Sequence, residues 1–203
     1  MNLEFLTVSL LVVASPGTGA AVTIATGLSR GTRTAAVAAL GCTLGIVPHM
    51  LAAVTGLAAL LHASSLAFEA VKLAGVAYLL YLAWTTWREQ GVLKIDADGV
   101  RRSDGAVIRH AVLVNLLNPK LSMFFLAFLP QFIAPGDAAP TLTMLQLSAI
   151  FMAMTFAVFA LYGAFAARMR EHVLGSPTAM AWLRRSFAAT FVALGVKLAL
   201  TQR

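Results

Sequence analysis

Six apolar runs follow one another along the chain, at roughly 3–27, 36–60, 68–87, 110–133, 142–167 and 186–201, with only short connections between them. A helix needs about 20 apolar residues to cross the hydrocarbon core of a bilayer, so each run is long enough to span a membrane. What remains is too short for a soluble domain that could hold an active site. With 60% of its 203 residues hydrophobic, 11% charged and a mean hydropathy of +0.84, the chain departs from water-soluble composition. The expected fold is all-α: a polytopic membrane protein of six transmembrane helices in a single domain, 1–203.

The first run does not read as a cleaved leader. It has no basic segment before it, carries Glu4, and has Pro16 where cleavage after Ala14 or Ser15 would fall. The single cysteine, Cys42, lies within the second run and has no intrachain partner for a disulfide. A net charge of +7 raises the question of nucleic acid, and the positions of the charges answer it. Eleven of the 15 Lys and Arg fall in the odd-numbered loops: Arg30 and Arg33; Arg88, Lys94, Arg101, Arg102 and Arg109; Arg168, Arg170, Arg184 and Arg185. The even loops hold little beyond His62, Lys72 and Asp137. The positive-inside rule then makes the odd loops cytoplasmic and puts both termini outside. The basic excess is an orientation signal, and no nucleic-acid partner is expected.

Two runs carry matching interruptions, Ser15-Pro16-Gly17 in the first and Asn118-Pro119-Lys120 in the fourth. Serine and asparagine are favoured N-caps, and proline suits the first helical position, so each tripeptide reads as the start of a fresh half-helix. Proline inside a continuous helix also removes a backbone bond and clashes with the preceding turn, so helices one and four should be broken at Pro16 and Pro119. Three spans per half is an odd number, which inverts the second half relative to the first. The expectation is a 3+3 inverted repeat, with repeat one at about 1–90, a cytoplasmic loop at about 88–109 and repeat two at about 109–203. When Pro16 is laid on Pro119, Gly31 falls near Pro135-Gly136, and the run from Lys72 to Trp84 lies opposite Arg185 to Lys197. Paired interruptions of this kind point to a transporter's binding site.

Other residues sharpen the expectation. Gly17, Gly19, Ala20 and Ala21 leave the backbone nearly bare, suited either to close helix packing or to a ligand. Gly41 and Gly45 form a GxxxG spacing, whose default meaning is helix packing. His49 stands one turn beyond Gly45, about half-way through the second run, either as a proton carrier or as a neutral histidine bonded between helices. Lys120 lies 11 residues beyond Arg109, about 16 Å along a helix, which places an ammonium near mid-membrane. No Asp or Glu stands at similar depth, so its partner must be backbone carbonyls, asparagine, water or a substrate anion. Tyr78, Tyr81, Trp84 and Trp87 form an aromatic belt, with Tyr78 deep enough to line a cavity. Lys197 can snorkel outward. The Asp96-x-Asp98-Gly99 fragment lacks the remaining ligands of a calcium loop, and no metal site or cofactor is expected. The fifth run reads as packing.

At these residues the chain resembles the LysE/RhtB family of amino-acid exporters. The likeness rests on Ser15-Pro16-Gly17, the Gly31 turn, Gly41 to Gly45 with His49, Lys72-Leu-Ala-Gly-x-x-Tyr-Leu-x-Tyr through Trp84, and above all Asn115-Leu-Leu-Asn-Pro-Lys120 to Phe128-Leu-Pro-Gln-Phe132. The resemblance implies a secondary exporter in the cytoplasmic (inner) membrane that moves an amino acid or a derivative outward, against inward proton flow. Family members usually continue the first motif as Pro-Gly-Pro followed by Asp or Asn, whereas this chain has Pro16-Gly17-Thr18-Gly19. That departure weakens the case for a cationic substrate such as lysine and for a proton site at this position. Thr18 could supply a hydroxyl instead.

The site expected from both lines of reasoning is substrate-binding: Ser15, Pro16, Gly17, Thr18, Asn115, Asn118, Pro119 and Lys120. Two half-helix N-termini would face one another near the midplane and, with Lys120, receive a carboxylate. His49 is the candidate for proton coupling. A membrane-embedded enzyme would need a nucleophile with a base and an acidic orienter, which Ser15, Thr18 and His49 do not make, so catalysis is not expected. A metal-cation exporter would need more ligands at depth than one His and one Cys. A non-transporting structural membrane protein is the remaining alternative, and a homo-oligomer is possible.

Overall fold

Helices end where the breakers stand. The computed structural model describes residues 3–15, 17–55, 73, 76, 77, 80, 81, 83–85, 87, 88, 103–134 and 136–200, and no strand occurs among them. Pro16, the run from His62 to Lys72, Tyr78 and loop residues 89–102 lie outside the described residues, as do the side chains of Pro119 and Lys197. In chain order, α1 is Leu3–Ala14, α2 is Thr18–Leu44, α3 is Val47–Val54 and α4 is Asp104–Leu116. After Asn118 comes α5, Pro119–Met123, which continues through a π-helical turn, Phe124–Phe128, and a 3-10 turn, Leu129–Phe132. The chain closes with α6, Pro140–Arg168, α7, Arg170–Leu174, and α8, Pro177–Leu200. Pro130 lacks the N–H that would continue the helical ladder, and the irregular turns gather around it.

α2 is one helix in name and a hairpin in shape. Gly31 sits at φ 83° and ψ −179°, a region open essentially to glycine alone, and breaks the helical path there. Thr23 Oγ1 lies 3.9 Å from Cys42 Sγ across 19 residues, a separation of about 28 Å in a straight helix. The chain therefore doubles back at the glycine, and residues 18–30 run antiparallel to residues 32–44.

Two helical runs among the described residues are long and apolar enough to cross a membrane, Thr18–Val54 and Pro140–Arg168. The bent pair Asp104–Leu116 with Lys120–Phe132, angled by 56°, makes a third if it is counted as one span. Because the first of these runs reverses at Gly31, its crossing power belongs to two arms.

α2 packs chiefly on α6 and α4. Its first arm lies along α6 in the same direction: a methyl on Gly19 would meet Phe159, and one on Gly27 would run into the Gly163 carbonyl and Ala166. The second arm lies along α4, again in the same direction, from the Arg33–Asp104 ion pair at 2.7 Å to Gly41 against Ile108 and Ala111, then Gly45 against Val112 and Asn115. The Gly31 turn, the start of α4 and the end of α6 consequently share one end of the bundle. Toward the other end, Phe5, Phe124, Phe125, Phe132 and Phe151 pack ring on ring, with centroids 4.1 Å apart for the stacked pair Phe124 and Phe151. Phe5, Phe124, Phe125 and Phe151 are fully buried, so aromatic packing fixes α1 against the broken fourth run.

Candidate functional site

The second break forms as its residues dictate. Asn118 caps α5, its Oδ1 accepting from the Lys120 N–H at 3.1 Å, with Pro119 in the first turn. The first break differs from expectation. Ser15 is not the N-cap: its hydroxyl turns back and donates to the Val12 carbonyl at 2.8 Å. Gly17 is extended at φ −157° and ψ −179°, and with no side chain it caps α2 by its backbone position alone. The helix start moves two residues along because the chain leaves α1 in an extended step before it can turn again.

Lys120 lies between the two ends of that break. Its ammonium donates to the Val12 and Ser15 carbonyls, each at 2.9 Å, and lies 3.4 Å from Ser15 Oγ. These carbonyls belong to the last turn of α1 and the residue just past it, the negative end of the helix dipole, which favours a cation. The same nitrogen would be 3.0 Å from a methyl on Gly17, so it also touches the approach to α2. Tyr162 of α6 holds the intervening carbonyl, its hydroxyl donating to Ala14 O at 2.8 Å. At the start of α2, Thr18 is buried and its hydroxyl has no hydrogen-bond partner.

Asn115 ties α4 to the second arm of α2. Ile46 N–H bonds to Thr43 O, one residue short of the α-helical partner, so the Cys42 carbonyl is left over at the Leu44–Val47 interruption. The Asn115 amide takes it at 2.6 Å, while Asn115 Oδ1 accepts from Asn118 Nδ2 at 3.0 Å and would lie 2.8 Å from a methyl on Gly19. Both asparagines are buried. His49, also buried, lies with Nε2 3.2 Å from the Asn115 carbonyl and Nδ1 3.3 Å from Ser122 Oγ. A carbonyl can only accept, so Nε2 carries the proton, and in the neutral ring Nδ1 accepts from Ser122.

Ser15, Gly17, Asn115, Asn118 and Lys120 thus gather around the first break, with Thr18 next in chain and His49 one contact away through Asn115. The structure adds Ser122, Tyr162 and the Cys42 carbonyl, which the sequence reading passed over. Tyr162 carries the sole tyrosine hydroxyl of α6, a helix expected to serve only packing, and that was the available signal. For the carbonyl the signal was Pro48, which on sequence grounds frees a carbonyl about a turn earlier, near Leu44; the one Asn115 takes is that of Cys42, two residues before.

Residues 10–202 match the family described as LysE type translocator. A homoserine/homoserine lactone efflux protein of Salmonella typhi is 34% identical over 196 residues, covering 96% of this chain and 94% of its own length. An uncharacterized membrane protein of Vibrio cholerae is 33% identical over 200 residues, 97% of this chain and 95% of its own. A leucine efflux protein of Enterobacter sp. (strain 638) is 28% identical over 166 residues, 77% of this chain and 76% of its own. No solved structure matches. With the match running over nearly the whole chain and its apolar helices arranged around paired breaks, the protein belongs to the LysE type translocator family.

Proposed function

We propose that the protein is a secondary exporter that moves a neutral amino acid or amino-acid derivative out across the cytoplasmic membrane, coupled to inward proton flow. The observation that carries this reading is the Lys120 ammonium, lodged at a helix break between the carbonyl end of α1 and the uncapped start of α2. The α2 N-terminus offers N–H groups and a positive dipole end to a carboxylate, with the unpartnered Thr18 hydroxyl as a further ligand. Lys120 stands next to it as the counter-charge. The first N–H groups of α5 contribute less, because Asn118 already caps them.

The fold in this proposal is six spans in two inverted repeats, with the two arms of α2 belonging to spans one and two. The end of the bundle that holds the Gly31 turn also holds Arg30, Arg33, Arg109 and Arg168, and the positive-inside rule makes it cytoplasmic. His49 is the coupling residue: on protonation Nδ1 becomes a donor, and Ser122 meets it by rotating its hydroxyl from donor to acceptor, so charge is gained without moving a helix. The names of the relatives direct attention to homoserine and leucine. The test is to load proteoliposomes with homoserine, homoserine lactone, leucine, threonine or lysine and follow efflux with and without a pH gradient. Efflux of a neutral amino acid that the gradient accelerates is expected. Efflux of none of the panel would refute the proposal.

A further inference from the structure

Away from the break, an apolar groove of about 530 Å³ opens on the side of the bundle, within the range of small-molecule sites. One wall is Leu80, Ala83, Trp84 and Trp87, and the other is Ala188, Ala189, Val192 and Ala193 of α8. Trp84 and Trp87 are 57% and 60% exposed, so the indoles face outward and are not spent on the core. Alanines opposite leave the width. Among the described residues beside it, charge stands at one end. Arg88 follows Trp87 directly, is exposed, and holds its guanidinium 4.2 Å over the Trp84 ring. On α8 the exposed Arg185 stands one turn before Ala188 and Ala189, on the same helical face. The groove is therefore hydrocarbon along its length and cationic at its mouth.

We infer that this groove is a binding site for an anionic phospholipid, with one acyl chain lying between Trp84, Trp87 and α8 and the phosphate on Arg88 and Arg185. A free amino acid has no apolar length to fill the groove, and a zwitterionic lipid brings its phosphate together with a cationic choline, so its headgroup adds no net charge to meet the two guanidinium groups. Indole rings suit the level where chain meets headgroup. Each arginine near an anionic headgroup favours it by about fivefold.

The protein has three tryptophans, and Trp182 is also exposed, so the full chain carrying Trp182→Phe reports on Trp84 and Trp87 alone. That protein is reconstituted in phosphatidylcholine containing a minor fraction of chain-brominated phosphatidylglycerol or chain-brominated phosphatidylcholine, and fluorescence quenching is measured. Brominated phosphatidylglycerol should quench well beyond its mole fraction, and the added pair Arg88→Gln and Arg185→Gln should remove the excess. Equal quenching by the two lipids would overturn the inference, as would weak quenching by both together with a cross-linked dimer through this face. Native mass spectrometry of the unmodified protein supplies an independent reading: phosphatidylglycerol retained in preference to phosphatidylcholine is expected, and no preference counts against the site.

Discussion

Replacing Lys120 with Met keeps the unbranched stem and deletes the charge. Two terms oppose each other in the folded protein. The ammonium makes two carbonyl bonds at 2.9 Å, and bonds to a charged group are worth about 1.5–3 kcal/mol each. Holding an ammonium at mid-membrane depth costs about 2.5–3.5 kcal/mol on insertion scales. The difference leaves Lys120→Met destabilised by roughly 0–3 kcal/mol, small enough for the protein to remain folded and inserted. Transport has no such offset. A carboxylate that loses its charged partner binds about 10–150-fold more weakly. The assay pairs unfolding of the purified variant in detergent with efflux from proteoliposomes at saturating and subsaturating substrate. Near-normal stability with efflux lost or shifted to much higher substrate concentration is expected. Full efflux at ordinary concentration would take Lys120 out of the substrate site, and a variant that fails to insert would make it a structural tie for α1.

Asn115→Ala should strand the Cys42 carbonyl and the Asn118 amide together, costing about 1–3 kcal/mol in detergent unfolding; an unchanged midpoint would mean that water replaces the amide at no cost. Gly31→Ala should cost about 1–3 kcal/mol through backbone strain alone, because nothing lies within 4 Å of the added methyl; a stabilised variant would contradict the left-handed turn. His49→Gln keeps a donor for the Asn115 carbonyl but cannot titrate, so exchange of substrate across the membrane should persist while stimulation by a pH gradient disappears. Retained stimulation would move coupling elsewhere. Asp137, outside the spans, has its carboxyl held below the usual range by accepting from the Ala139 N–H and the Thr143 hydroxyl. A lowered folded-state pKa gives stability that is present above the unfolded value of 3.8 and is lost as pH falls through the folded one, so in acid the first turn of α6 should lose amide protection relative to the intrinsic exchange rate at that pH. Asp137→Ala should show that reduced protection already at neutral pH.

How much was legible follows from the reach of each cause. Asn118-Pro119 acts on its own chain within four residues, and the cap and the bend appear where the letters put them. Ser15-Pro16-Gly17 has the same local chemistry, yet the cap fell at Gly17, because Ser15's hydroxyl had a nearer acceptor in Val12 and the extended step delayed the next helix. Counting along the helix leads to the expectation that Lys120 lies at depth, and backbone carbonyls were among the partners open to it. That these would be Val12 and Ser15 depends on how α1 meets the fourth run, a matter of Phe5, Phe124 and Phe151 packing that no local spacing encodes. Asn115 was visible as a polar residue in an apolar run, but its partner, the Cys42 carbonyl, exists only because the ladder slips by one residue near Pro48.

The placement of α2 bears on the order of synthesis. Its two arms present Gly19, Gly27, Gly41 and Gly45 to α6 and α4, helices whose residues emerge from the ribosome some tens of residues or more after the hairpin is complete. Until then those strips lack the α4 and α6 surfaces they fit, and against lipid small residues gain little. Insertion must precede assembly, with docking deferred until the later helices arrive. A nascent chain arrested before Asp104 would therefore leave an inserted hairpin without its mate, open to whatever small-residue helix diffuses past.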